Sequence, residues 1–473
     1  MKSNIIAREE ECRELNELYN SKKAEFVAVY GRRRVGKTFL IREFFDNNFV
    51  FDFAGLAKST MKEQLANFRY SINRNGEYNF PLAKSWLEAF EQLITLLSNA
   101  PKGRKIVFID EISWLDTKKS RFLTALEHFW NGWACAKHDI FLVVCGSSKS
   151  WIINKLINNH GGLHNRLTAT INLKPFTLKQ CELFLKRQNI KMNRYQIAEC
   201  YMIMGGIPFY LSKLKSKFGL SQNIDNMFFN KSNASLKNEF DNLYASLFDN
   251  SENYIKIVAA LSKKKKGLTR AEIVKITKLK SGSCLTEMLK DLENCNFIRS
   301  YTAFGRKKNG LIYQLLDFFT LFYFSYLSIN ELNDERFWTN TINFPQRYAW
   351  AGYAFEVLAL HHIEEIKKSL GISGIQSSVC AWNSEKSKPA TQIDLVINRK
   401  DEVINLFEIK FSKSKFEIDK KYEDNLRNKI VCFETETKTE KATHLVMLTT
   451  YGLVKNKYSY IAQNEITLKD LFG

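Results

Sequence analysis

The feature that most constrains this chain is the eight-residue motif G-R-R-R-V-G-K-T at residues 31–38. It fits the pattern G-x-x-x-x-G-K-[ST], in which backbone amides surround phosphate oxygens. An apolar, β-prone run at 26–30 precedes the motif, and a segment with helical spacing at 39–45 follows it. In this order the positive end of the helix faces the phosphates. The sequence therefore predicts a P-loop nucleotide site in an α/β domain.

Two side chains of the loop carry most of the predicted chemistry. Lys37 is placed to reach the β- and γ-phosphates, and the Thr38 hydroxyl is placed to bind Mg²⁺. The predicted nucleotide-binding set in this segment is Gly31, Arg32, Arg33, Arg34, Val35, Gly36, Lys37, Thr38 and Phe39.

A second apolar run, at 105–109, ends in Asp110 and Glu111. Continuous apolar strands are typical of parallel sheets that are covered on both faces. We expect Asp110 to join the nucleotide site and to hold Mg²⁺ through water, and Glu111 to polarise the attacking water. The alternative is a strand that simply ends in two solvated acids.

Two further polar positions follow later strands. The run at 140–145 ends in Gly146, and Ser147 or Ser148 is predicted to contact the γ-phosphate or the lytic water. The alternative is a turn or a helix N-cap. Arg166, just before a short strand at 169–173, is a candidate arginine finger. A plain surface arginine is the alternative there.

Several short motifs together resemble those of archaeal-type ATPases of the AAA+/STAND class, which also occur in bacteria. They are R-E-E at 8–10, the P-loop, F-I-D-E-I at 108–112, K-P-F at 174–176 and G-G-I-P at 205–208. The resemblance covers about 1–245. It implies ATP with Mg²⁺ as the ligands, ATP hydrolysis as the activity, an ATPase core at 1–175 and a helical lid at 176–245.

The middle of the chain is basic. Residues 261–310 hold 13 Lys/Arg and 4 Asp/Glu, so their net charge is 13 − 4 = +9 of the chain's +20. Helical spacing at 255–261, 268–274 and 283–289 precedes strand-like runs at 297–301 and 311–315. This pattern predicts a winged helix-turn-helix, with a packing helix, over 246–330. DNA is the expected partner of 261–310, and a protein-interaction surface is the alternative.

The C-terminal part carries a second chemical pattern. Asp394 lies in one strand-like run, 392–397, and Glu408 and Lys410 lie in the next, 403–411. Glu408 and Lys410 share a face because side chains alternate along a strand. If paired residue numbers sum to 802, Asp394 lies opposite Glu408 and the loop is the three residues 400–402. We therefore predict an odd-length hairpin loop.

Two carboxylates beside a lysine suit metal-assisted phosphodiester hydrolysis. Asp394 and Glu408 are the predicted ligands of Mg²⁺, with Mn²⁺ possible, and Lys410 is the predicted catalytic cation. This D…E-x-K pattern resembles the core of the PD-(D/E)XK nucleases over about 345–473. The resemblance implies a mixed α/β restriction-endonuclease-like domain at 331–473 and adds Glu356 as a helix-borne catalytic glutamate. Lys420 or Tyr422 is a candidate phosphate contact, and a non-catalytic binding module is the alternative.

The N-terminus, the apolar stretches and the cysteines bear on the cellular compartment of the protein. The N-terminus lacks the apolar region of a signal peptide, and the longest apolar stretch, 315–329, is interrupted by Asp317. Nine cysteines without a C-x-x-C pair argue against a zinc site or a disulfide framework. We therefore expect a cytoplasmic protein without a membrane partner. Self-association or a protein partner stays open.

The whole chain is thus predicted to be a multidomain α/β protein. One hypothesis is an ATP-hydrolysing protein that acts on DNA, in which ATP controls the winged helix and a metal-dependent nuclease. The other is a STAND-like switch, in which ATP sets a conformation that a partner reads and the C-terminal domain cuts nothing.

Overall fold

The computed structural model describes residues 4–74, 78–158, 161–231, 234–236, 238–248, 250–305, 310–329, 334–384 and 391–473. The chain forms two compact units. Unit 1 comprises residues 1–175 and 245–249, and unit 2 comprises 176–244 and 250–473. The finer division into four domains stays a prediction.

Unit 1 is built on a five-stranded sheet whose strands are all parallel. Its order is β2-β3-β4-β1-β5. The strands are β1 (Glu25–Tyr30), β2 (Phe51–Ala54), β3 (Lys105–Asp110), β4 (Ile140–Gly146) and β5 (Ala169–Asn172). The four strands expected from apolar runs are present within one residue of their predicted starts. β4 is buried along its whole length, as a central parallel strand should be.

Helices cover both faces of this sheet. They are α1 (Glu9–Tyr19), α2 (Lys37–Phe44), α3 (Met61–Arg74), α4 (Trp86–Asn99), α5 (Phe122–Gly132) and α6 (Lys149–Ile152). On one face, Phe68, Trp86 and Phe129 join a large buried cluster with the alternate residues of the strands. On the other face, Phe45 at the end of α2 packs against Phe141 with ring centroids 5.4 Å apart. Burial of both faces leaves the carboxyl edge of the sheet for polar chemistry.

Unit 2 contains many helices and two sheets. Its helices, together with α11, which reaches the boundary between the units, are α7 (Leu178–Arg187), α8 (Arg194–Met204), α9 (Pro208–Leu211), α10 (Leu220–Ile224), α11 (Glu239–Leu247), α12 (Ser251–Ser262), α13 (Arg270–Thr277), α14 (Ser283–Asn294), α15 (Phe318–Phe322), α16 (Phe337–Asn340), α17 (Pro345–His361), α18 (Ile363–Ser369) and α19 (Lys420–Thr437).

The basic middle region forms three helices, α12 to α14, and a small antiparallel sheet. The sheet has the order β6-β8-β7 and consists of β6 (Leu268–Thr269), β7 (Ile298–Thr302) and β8 (Leu311–Leu315). Thr269 caps α13 in a reciprocal pair with Glu272, as expected for an N-cap. The N-cap of α14 is Gly282, and Ser283 is the first residue of the helix. The basic residues 306–308 lie outside the described residues.

The second sheet of unit 2 is mixed and has the order β13-β12-β11-β10-β9. Its strands are β9 (Ser377–Asn383), β10 (Gln392–Arg399), β11 (Val403–Lys410), β12 (Ala442–Thr449) and β13 (Asn464–Thr467). β10 pairs antiparallel with β11 and β9, whereas β12 is parallel to β11 and β13. Leu395 pairs with Phe407 and Asn398 with Ile404, so the numbers sum to 802 and the predicted register is confirmed.

The long apolar stretch near residue 320 is a buried helix. Asp317 caps α15 by accepting a hydrogen bond from the Thr320 amide at 2.9 Å, and Phe318, Phe319 and Phe322 are buried. Among the described residues, no helix has both the length and the apolar character that a membrane crossing requires. All nine cysteines fall within the described ranges, and each is a free thiol.

The two adjacent glycines after α8 make a tight turn in unit 2. Both have positive φ, 69° at Gly205 and 65° at Gly206. The Phe176 amide donates to the Gly206 carbonyl at 2.8 Å. A Cβ at Gly206 would lie 2.3 Å from the Phe176 carbonyl oxygen and 2.6 Å from the Tyr201 ring, so this position requires glycine.

We expect Gly206→Ala to lower the free energy of unfolding by about 2–4 kcal/mol, from unfavourable φ and overpacking. Gly352→Ala is the matched control, because a Cβ there, inside α17, meets nothing within 4 Å. The control should be neutral or slightly stabilising. Chemical denaturation measures both variants. Equal stability of the two would contradict the packing described for Gly206.

Candidate functional sites

The P-loop of unit 1 lies between β1 and α2. The Lys37 side chain is buried, and its ammonium donates to the Gly31 and Arg32 carbonyls, both at 3.1 Å. A Cβ at Gly31 would lie 2.2 Å from the Leu173 carbonyl oxygen, so only glycine fits where the loop leaves the sheet. The remaining predicted loop residues differ in exposure: Arg32 and Val35 are buried, Arg33, Arg34, Gly36 and Thr38 are intermediate, and Phe39 is exposed.

Asp110 and Thr38 form the predicted metal-binding pair of this site. The Thr38 hydroxyl donates to Asp110 Oδ2 at 2.7 Å, and the Glu111 amide donates to Asp110 Oδ1 at 2.9 Å. Burial raises the pKa of Asp110, although the bond from Thr38 opposes the shift. A hydroxyl and a carboxylate side by side are hard oxygen donors, so these residues fit Mg²⁺.

Glu111 and Ser147 meet where β3 and β4 end. Ser147 donates to both oxygens of Glu111, from its hydroxyl at 2.6 Å and from its amide at 3.1 Å. The Lys37 ammonium also donates to the Ser147 hydroxyl at 3.3 Å. The structure therefore brings together Lys37, Ser147 and Glu111, and Ser148 is instead the N-cap residue of α6. Contact of Ser147 with nucleotide stays a prediction.

Arg166 lies in the turn before β5 and is exposed. Its amide donates to the Leu163 carbonyl at 3.1 Å. Within the part of unit 1 that the structure describes, no hydrogen bond or ion pair joins the Arg166 side chain to the P-loop. Its role as an arginine finger stays a prediction.

Arg8 is a structural residue that the sequence signals only through its R-E-E motif. Its side chain is 6% exposed, and the guanidinium donates to the Lys174 carbonyl at 2.8 Å and to the Val35 carbonyl at 3.3 Å. Glu11 lies 3.3 Å away and balances its charge. Arg8 thus ties the P-loop to the segment that follows β5.

A second site lies in unit 2 on the β10–β11 hairpin. The observed register ends at the pair Leu395–Phe407, and Asp394 and Glu408 are the next residue on each strand. Lys410 lies on the same face of β11 as Glu408. Glu408 is buried, and its Oε1 lies 2.9 Å from the Lys410 ammonium. Tyr422 on α19 donates to the same oxygen, and Lys429 donates to Oε2 at 2.7 Å.

Asp394 sits in a β-bulge. The pairing of β10 with β9 shifts between Ile393 and Val396, which pair with Trp382 and Cys380. Bulges re-aim side chains and are common beside functional sites. The Gln392 amide donates to Asp394, and burial raises the pKa of the Asp394 carboxyl.

Glu356 on α17 completes the predicted acidic group. Burial and the charge of Asp394 raise its pKa to about 8, while Lys265 and Lys410 oppose the shift. Glu408 behaves in the opposite way: burial raises its pKa, but Lys410 and Lys429 more than offset this and leave it below the usual value. Neighbouring carboxyls with pKa values pushed apart are typical of functional sites.

Three observations qualify the sequence predictions for this site. Among the described residues, no three His, Cys, Asp or Glu side chains converge closely enough to hold a metal ion by themselves. Tyr422 reaches the site, whereas Lys420 is exposed. Lys429 was missed, although its spacing of seven residues from Tyr422, two turns along one face of α19, was available as a signal.

Residues 5–214 match the model of a family described as an ATPase domain predominantly from Archaea. An uncharacterized protein of Methanocaldococcus jannaschii is 27% identical over 376 residues, which cover 77% of this chain and 78% of that protein. An uncharacterized ATP-binding protein of the same organism is 48% identical over 43 residues, or 9% of this chain and 73% of that protein.

Among solved structures, a Walker-type ATPase of Pyrococcus abyssi aligns with a TM-score of 0.48 at 19% identity, over 68% of this chain and 97% of that chain. The family match and the P-loop support an ATP-binding, ATP-hydrolysing domain in the N-terminal part of the chain. The family match does not extend to residues 215–473.

We expect Arg8→Ala to lower the free energy of unfolding by about 1–3 kcal/mol, because two carbonyls lose a buried, charged donor. It should also weaken ATP binding, since the P-loop loses its tie to Lys174. Arg13→Ala, on the exposed side of α1, is the matched control. Denaturation and nucleotide titration measure both effects. An Arg8 variant that behaves like the control would contradict this role.

Proposed function

We propose that this chain is an ATPase that acts on DNA, with a winged helix at 246–330 and a metal-dependent PD-(D/E)XK nuclease-like domain at 331–473 under the control of ATP. The observation that carries the proposal is the hairpin register, whose last pair is Leu395 with Phe407, together with Lys410 at 2.9 Å from Glu408. Asp394 and Glu408 follow that pair, and the charge of Glu408 acts on Asp394. Two carboxylates and a lysine on one face of a hairpin form a site suited to phosphodiester hydrolysis.

ATP hydrolysis follows from the polar groups at the carboxyl edge of the parallel sheet. Lys37 neutralises charge on the β- and γ-phosphates, and Thr38 and Asp110 hold the Mg²⁺ that accompanies ATP. Glu111 takes a proton from the attacking water, and Ser147 fixes the Glu111 carboxylate through two hydrogen bonds. The closeness of these groups in unit 1 supports this assignment.

The donor set of the hairpin fits Mg²⁺ or Mn²⁺. Magnesium is commonly bound through one or two carboxylates together with substrate phosphates, so a third protein carboxylate is not required. Asp394 and Glu408 would hold the ion, which when bound polarises the phosphate and lowers the pKa of water. Lys410 would neutralise charge that develops on the phosphate, and Glu356 would exchange a proton with the nucleophile or the leaving group.

The basic segment 263–266 supports DNA as the substrate. The Lys265 carbonyl accepts hydrogen bonds from Tyr353 at 3.0 Å and from Gln314 at 2.9 Å, which hold the segment against α17 and β8. The charge of Lys265 opposes the rise in the pKa of Glu356, so the lysine lies within electrostatic reach of that carboxyl group. A phosphate backbone held by these lysines would therefore pass beside the hairpin site.

A STAND-like switch is the second candidate function, and one observation favours it. Lys410, Lys429 and Tyr422 bond both oxygens of Glu408, which gives the carboxylate a complete set of protein partners. A nuclease fold that serves binding would keep such contacts for stability alone. In that case ATP would set a conformation that another molecule reads.

We expect Glu111→Gln to bind ATP normally but to hydrolyse it about 100-fold more slowly or worse, because the amide cannot accept a proton. Lys37→Ala should lose binding as well as hydrolysis. Nucleotide titration and phosphate release distinguish the two variants. Normal turnover by Glu111→Gln would contradict the role of this residue.

We expect wild-type protein with Mg²⁺ or Mn²⁺ to cleave plasmid DNA, and Lys410→Ala to lose about 100-fold or more of this activity. Lys400→Ala removes the same charge from the exposed hairpin loop and should cleave normally. ATP hydrolysis should be intact in both variants. Equal cleavage by Lys410→Ala and wild type would contradict the nuclease site. No cleavage by any of these proteins, with ATP hydrolysis intact, would support the switch.

A further inference from the structure

We propose that the Lys429 ammonium occupies the Glu408 carboxylate in the absence of metal and that a divalent metal ion displaces it. The inference rests on the proposed metal site and adds a competition that determines when the metal binds. Lys429 lies on α19, outside the D…E-x-K pattern, and reaches Glu408 across 21 residues of sequence.

The two oxygens of Glu408 have different partners. Oε1 interacts with both Lys410 at 2.9 Å and Tyr422, whereas Oε2 has Lys429 as its one hydrogen-bond partner among the described residues. Release of a single side chain, Lys429, therefore exposes one whole carboxylate oxygen. Exposure of Oε1 would require two side chains to leave.

Charge balance favours exchange over simultaneous binding. Lys410 and Lys429 already neutralise Asp394 and Glu408, and all four groups interact electrostatically. A divalent ion at the carboxylates would add two positive charges within a few ångströms of both ammonium groups. Repulsion at that distance is substantial in a partly buried site. Departure of Lys429 relieves it.

The Lys429 ammonium can leave Glu408 without a change in the backbone of α19. A lysine ammonium is a compact, strongly hydrated charge on a flexible stem of four carbons, so it exchanges a carboxylate for water readily. The Lys429 side chain is 24% exposed, compared with 9% for Glu408, so solvent is within its reach. Lys410 is more exposed, at 35%, but it lies on the same strand as Glu408, over the Tyr422 ring at 5.4 Å, and shares Oε1 with the Tyr422 hydroxyl.

The test is a calorimetric titration of Mn²⁺ into the full chain without nucleotide. Lys429→Met should bind Mn²⁺ about 10-fold more tightly than wild type, because the competing cation is absent. Lys429→Arg, which retains the cation, and Lys421→Met, an exposed control on α19, should show no gain. Glu408→Gln removes the proposed metal-binding carboxylate, so the Mn²⁺ that this variant still binds is bound at other sites. Glu408-dependent Mn²⁺ binding by Lys429→Met that is as weak as in wild type, or weaker, would overturn the inference. The absence of Glu408-dependent Mn²⁺ binding in all of these proteins would also overturn it.

A second measurement uses the wild-type protein and avoids any cost of the substitution to folding. Amine labelling with mass spectrometry should show Lys429 reacting several-fold faster when Mn²⁺ is added, relative to Lys421. Equal reactivity with and without Mn²⁺ would overturn the exchange. Exchange without DNA cleavage would leave the inference standing and remove the nuclease proposal. Metal-dependent cleavage with unchanged Lys429 labelling would support the nuclease proposal and overturn the exchange of Lys429.

Discussion

Buried charges need partners, and this requirement shapes both candidate sites. Asp110 and Glu408 are both buried. An uncompensated buried carboxylate costs several kcal/mol, on the order of 3–5 when one partner of a pair is removed. Asp110 is therefore bonded to Thr38, and Glu408 to Lys410 and Lys429. Because these partners lie on strands and helices with extensive packing, the geometry of each site follows from the core around it.

The same principle links the two proposed chemistries. In each site the carboxylate now accepts hydrogen bonds from protein groups, and in each the proposed function gives it a metal ion as an additional or competing partner. The hydroxyl of Thr38 is itself a metal ligand, so Asp110 and Thr38 can hold an ion together. An ammonium cannot be a ligand while it is protonated, so Lys429 must move away. This difference is why exchange is inferred for unit 2 alone.

Local periodicity explains what could be predicted from the sequence. The alternation of side chains and an odd loop length were enough to predict the register of the β10–β11 hairpin, and the P-loop order of strand, glycine-rich turn and helix was enough to predict the position of Lys37 at the start of α2. Contacts between residues that are far apart in the sequence could not be predicted from local periodicity. Lys429 meets Glu408, and Lys265 influences Glu356, only because helices and sheets of unit 2 pack together. The bulge at Asp394 likewise has no signal in its own residues.

In the proposed function, the state of the ATP site controls cleavage at the hairpin site. The most direct measurement is the rate of plasmid nicking with Mn²⁺, with and without ATP, by wild type and by Lys37→Ala. Control by ATP predicts a several-fold change in rate on addition of ATP to wild type and none in the variant. Nicking at the same rate in all four conditions would contradict control by ATP.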